Sequence, residues 1–175
     1  MIQRTLPLWL TTTLLCCSGP PAKEPSGPQT EEERLEASVA LLAEPLISAA
    51  QGQKLALLPI LKEGRDYEPA AARYVASRLV VKLVAAGISV LERADLEHIL
   101  QEQQLQISDL FGEENQAKVG RLAGADALVL GTARDSSLEA YEFRLKLVDL
   151  ATARILTTST ATVRRSDLPV KSGGN

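Results

Sequence analysis

The sequence predicts an α/β fold: a three-layer-like mixed sheet with a βαβ crossover and a C-terminal antiparallel hairpin. Three observations lead there. The run "KLALLPIL" at 54–61 is short and continuously apolar, as a strand covered on both faces requires. A helical stretch from Pro69 to Ala86 separates it from "ISVLE" at 88–92; strand, helix, strand in that order implies parallel neighbours and a right-handed crossover. Finally, "YEFRLKLVDL" alternates Tyr141, Phe143, Leu145 and Leu147 with Arg144 and Lys146, which marks a half-exposed strand, and "ILTTSTATV" returns after the turn "ATAR" as its antiparallel partner.

Taken from the N-terminus, residues 1–16 read as a signal peptide, because the basic start "MIQR" is followed by the short apolar run "TLPLWLTTTLLCC". That run is shorter than the roughly 20 apolar residues of a permanent span. "LLCCSG" resembles a bacterial lipobox, and Cys17 is the better lipidation site because Leu15, directly before Cys16, is bulky. Ser18 after the cysteine favours transport to the outer membrane under that resemblance; a plainly secreted protein is the alternative. Residues 17–30 carry Pro20, Pro21, Pro25 and Pro28 with Gly19 and Gly27, a composition that suits a flexible tether.

Residues 31–51 are expected to be an amphipathic helix. Thr30 and Glu33 form a capping box, and Leu35, Val39, Leu42 and Leu46 share a stripe. Pro45 is expected to kink or end this helix near Glu44. The α/β domain follows over 52–166. Its second helix has Val75, Leu79, Lys82 and Leu83 on one face, with Gly87 as a left-handed cap. A third helix beginning near Asp95 turns Leu96, Ile99 and Leu100 inward and His98 outward. A loop at 106–114, a helix near 115–123 and a strand at 126–133 come next. Residues 167–175 read as a disordered tail.

Several function classes are excluded by the residues present. The part after residue 16 holds 18 Lys+Arg against 22 Asp+Glu and no basic tract, so nucleic acid is not an expected partner. His98 is the only histidine, and both cysteines lie at 16 and 17, so the domain has no second soft ligand for a metal. No G-x-S-x-G elbow and no phosphate loop occurs; Gly64, Gly87, Gly112, Gly120, Gly124 and Gly131 read as single glycines at turns. No catalytic residue and no cofactor is expected. Open α/β sheets do bind ligands at strand ends. A small nucleotide- or ligand-binding protein, or a hydrolase, therefore stays as the alternative. Glu92 and Arg93 sit where a parallel strand turns into a helix. They, with Asp126, are the positions expected to hold a partner or ligand, although a local ion pair fixing the turn is the simpler account of Glu92 and Arg93.

The order of these signals resembles the CsgG/FlgO-like family of bacterial envelope lipoproteins, related in style to the penicillin-binding-protein activator LpoB and the N-terminal domain of TolB. The family pattern falls on Pro59, Val90 to Arg93, Gly124 to Asp126, Gly131, and Val148 to Thr152, and covers about 54–163. Ile60 stands where the family usually has Phe, and Ala153 replaces the turn glycine. The chain lacks room for the two long membrane hairpins of the channel-forming members, so no pore is expected. The resemblance implies an outer-membrane, lipid-anchored, periplasm-facing accessory that binds an envelope protein complex of flagellar, secretion or cell-wall type. It leaves a homo-oligomer open and implies no enzymatic activity.

Overall fold

The computed structural model describes residues 30–91, 98, 99, 101, 102 and 124–169. Helix α1 (Glu31–Ala49) starts at the predicted box: the Thr30 hydroxyl accepts from the Glu33 N–H at 3.1 Å, and the Glu33 carboxylate accepts from the Thr30 N–H at 3.0 Å. Leu35, Val39, Leu42, Ala43 and Leu46 are its buried face. The helix does not end near Glu44 but continues past Pro45 to Ala49. The ring removes one N–H and costs about 3 kcal/mol in a helix interior, but buried side chains on both sides of it hold the two halves on one sheet. Ser159 Oγ–H also donates to the Leu42 carbonyl at 3.0 Å, bonding the helix to the sheet beside the gap.

The predicted strand at 54–61 is two short strands, β1 (Lys54–Leu57) and β2 (Leu61–Lys62). Pro59 lies in the break, where no ladder N–H is needed. The Ile60 N–H, freed by the break, donates to Glu68 Oε1 at 3.1 Å. Helix α2 (Ala70–Ala85) buries Val75, Leu79 and Leu83; Lys82 is instead half-buried and paired with Glu36 Oε2 at 2.8 Å. Gly87, at φ +81°, ends it as predicted. The Gly87 N–H reaches Val84 O and the Ile88 N–H reaches Leu83 O, so two orphan carbonyls are satisfied and Ile88 folds back on Leu83.

Strand β3 (Ser89–Val90) lies parallel to β1, which lies parallel to β4 (Ala127–Ser137). That is the predicted βαβ arrangement. β4 is longer than expected and pairs antiparallel with β5 (Ala140–Asp149), which pairs antiparallel with β6 (Ile155–Arg164). The predicted hairpin is therefore the outer part of a three-strand meander. The sheet order is β3-β1-β4-β5-β6, with β2 also beside β4.

Alternation along the strands divides the core. Leu55, Leu57, Val129, Phe143, Leu145, Leu147 and Val163 meet α1 and α2 on one face. Ala56, Leu58, Leu128, Leu130 and Val148 form a smaller cluster on the other. Gly131 is not at a turn. It lies in mid-strand on the helix face, where a Cβ would stand 2.7 Å from Leu145 Cδ2 and 2.9 Å from Ile60 Cγ1. The packed domain also reaches past the expected boundary at 166. Asp167 is buried and accepts from Arg34 Nη2 at 2.7 Å, and Leu168 joins the main core. No helix among the described residues is long and apolar enough to cross a membrane.

Candidate functional site

Asp126 closes one end of the sheet. Its carboxylate accepts from the Lys54 N–H at 2.8 Å, its own N–H donates to the Lys54 carbonyl at 2.8 Å, and its carbonyl accepts from the Leu150 N–H at 3.0 Å. One residue thus fastens the starts of β1 and β4 to the end of β5. Beside it the β5–β6 turn is built on Asp149, which accepts from both the N–H and the hydroxyl of Thr152, at 2.8 and 2.6 Å. The Thr152 hydroxyl and N–H hold the Asp149 carboxyl below its ordinary range, with help from Gln53. Ala153 follows at φ +56°, so the left-handed turn survives the loss of the family glycine.

An open depression of about 530 Å³ lies between these pieces, lined by Gln53, Asp126, Asp149 and Leu150 among others. Both carboxylates accept from backbone or turn groups, an arrangement that shapes this surface.

Glu92, Arg93 and Cys17 lie outside the described residues, as do Leu96 and Leu100. Residues 98, 99, 101 and 102 are helical. His98 is 73 % exposed and 3.4 Å from Glu102 Oε1 one turn on, while Ile99 is half-buried. Among the described residues no group of three or more His, Cys, Asp or Glu side chains is placed to hold a metal ion.

A second polar surface escaped the sequence reading. On the sheet face away from α1 and α2, Arg134 grips Glu142 with two bonds of 3.0 and 2.7 Å, and Arg144 meets the same carboxylate. Arg134, then Arg144, draws the Glu142 carboxyl below its ordinary range. Thr132, Arg144, Lys146, Thr158 and Thr160 border an adjoining depression of about 300 Å³. At the far end of β4, Asp135 is shared by Lys62 and Arg165, and the Arg165 guanidinium stacks 4.0 Å from the Tyr141 ring centre. Lys62 lowers the Asp135 carboxyl and is itself raised by it. The alternation in 141–147 put Arg144 and Lys146 on one face, but Arg134 joins them only through the antiparallel β4–β5 register.

Residues 60–143 match the model of the family described as "Curli production assembly/transport component CsgG". No curated protein gives a significant match. Among solved structures, the LpoB C-terminal domain from Salmonella enterica is similar at 15 % identity and TM-score 0.57, over 75 % of this chain and 98 % of that one. The NMR structure of Escherichia coli LpoB is similar at 16 % identity and TM-score 0.56, over 94 % and 81 %. Lipoprotein GNA1162 from Neisseria meningitidis is similar at 18 % identity and TM-score 0.55, over 69 % and 86 %. At these identities the likeness is one of fold. Together they show a match to the CsgG family model over residues 60–143 and a fold shared with the LpoB and GNA1162 structures.

Proposed function

We propose that this chain is a non-enzymatic lipoprotein, anchored through Cys17 to the outer membrane and facing the periplasm. There it serves a flagellar, secretion or cell-wall assembly by binding another envelope protein. The observation that carries the reading is the fold shared with LpoB structures over three quarters or more of this chain. The site chemistry agrees with it, since Asp126 and Asp149 are spent on holding strand ends and a turn. Glu92, Arg93 and the surface around Asp126 are the proposed contact positions. The Pro-rich stretch 17–30 is the proposed stand-off between anchor and domain.

Two measurements test this. Mass spectrometry of the mature N-terminus should show an acylated Cys17, because stable anchoring takes more than one chain; an unprocessed Met1 rejects the anchor. Affinity capture from detergent-solubilised envelopes should recover one partner from the wild type and lose it with Glu92→Ala/Arg93→Ala. A nucleotide released on denaturing the purified protein, or hydrolase turnover, would replace the binding reading with the alternative one.

A further inference from the structure

Among the described residues β6 is the outer strand of the sheet, bonded to β5 on one side only. Next to the register pair Ala140↔Arg164, the Arg165 N–H donates to the Glu139 carbonyl at 2.7 Å. Bonded and non-bonded pairs alternate in an antiparallel ladder. The backbone groups of Thr158, Thr160 and Thr162 therefore turn away from β5, opposite Lys146, Arg144 and Glu142. Ser38 agrees with this assignment: its hydroxyl donates to the Thr162 carbonyl at 3.1 Å, from beyond the sheet edge. Among the described residues, Thr158 and Thr160 are left as the open part of the edge.

Exposed edges are usually guarded by charge, proline or a bulge. Residues 155–163 carry no charge and no proline, and the register shift of the β5–β6 pair lies at its far end, at Leu147/Val148. Ile155 and Leu156, 58 % and 40 % exposed, lie beside the open section.

We propose that this edge pairs with a second copy of the chain, β6 antiparallel to β6, about a two-fold axis at Ser159. Thr158 of one copy then stands opposite Thr160 of the other. The N–H and C=O groups of these two residues make four backbone hydrogen bonds, and threonine faces threonine across the junction. The register uses only the open groups. It ends where Thr162, already held by Ser38, meets Leu156. A neutral strand brings no like charges together within the ladder, so it is complementary to itself as a two-fold interface demands. Beyond the ladder Arg164 approaches Arg154 of the second copy, so added salt strengthens the pair. The interface does not depend on the lipid anchor or on an envelope partner.

Sedimentation equilibrium of the full chain in density-matched detergent, up to about 1 mM, a range that reaches even millimolar affinities, tests this. The expected mass rises from one copy to two. Thr158→Lys/Thr160→Lys and Thr158→Glu/Thr160→Glu each place like charges across the junction and should hold the mass at one copy. Mixing the two variants should restore the dimer. Thr160→Pro, whose lost N–H faces away from β5, should also give one copy with the fold retained. A single-copy mass for the wild type over the whole range overturns the proposal. So does a dimer that the paired substitutions leave intact, or a failure of the mixture to reassociate.

Discussion

Gly131→Ala is the most informative single substitution. Gly131 lies in mid-β4, and the added Cβ would stand 2.7 Å from Leu145 Cδ2, 2.9 Å from Ile60 Cγ1 and 3.2 Å from Ile60 Cγ2. Leu145 and Ile60 are 2 % and 0 % exposed, so neither has open space to retreat into. The Leu methyl ends a flexible side chain, but the Ile carbons sit on a β-branched one with restricted χ1. Overpacking of this kind costs about 1–3 kcal/mol. Alanine recovers roughly 0.5–1 kcal/mol relative to glycine in a strand. The net expectation is a loss of about 1–2 kcal/mol, or a melting point lower by roughly 2–8 °C for a domain of this size. Urea unfolding of Gly131→Ala, Ile60→Ala and the double variant measures the coupling. Ile60→Ala alone should cost about 2–5 kcal/mol. In its background Gly131→Ala should be neutral or stabilising, because the methyl fills the space left by the isoleucine. Equal effects of Gly131→Ala in both backgrounds would refute the packing argument. A stabilising effect in the wild type would mean that the glycine serves no close approach.

Ala153→Gly should stabilise the protein by about 1 kcal/mol, since Ala153 sits at φ +56° and a Cβ is penalised there; chemical denaturation with an unchanged slope checks it. Pro45→Ala should raise stability by about 1–2 kcal/mol, restoring a helix hydrogen bond against the smaller loss of a stiff unfolded chain; differential scanning calorimetry reads it. His98→Ala should change stability by no more than about 0.5 kcal/mol, as the side chain is largely exposed, and melting curves should superimpose. Acid sensitivity follows from Glu36, held below its ordinary value by Lys82 and Arg78, and Glu142, held below by Arg134 and Arg144. A depressed carboxyl favours the folded state above its unfolded value, about 4.5 for both, and that advantage is lost as pH falls through the lower folded value. Stability should be flat from neutral pH to about 5 and decline below 4.5, less steeply at high salt. A decline beginning near pH 6 would assign acid sensitivity to other groups.

What the sequence by itself determined was local. The capping box at Thr30 and Glu33, the apolar stripe from Leu35 to Leu46, the left-handed cap at Gly87 and the alternation from Tyr141 to Leu147 each depend on neighbours a few residues apart. Pattern and propensity are sufficient for such features. Tertiary structure decided whatever depended on partners distant in the chain. Pro45 stays inside α1 because the sheet holds the helix on both sides of it. Gly131 is a packing glycine because Ile60 and Leu145, from two other segments, converge on it. Asp126 closes a sheet end, and Arg134 joins Arg144 on Glu142, only after register aligns their strands. A pattern with period two reports which face a side chain takes but not which strand lies beside it, because alternation is the same for every neighbour and register. The long-range burial that selects one pairing is a property of the assembled core.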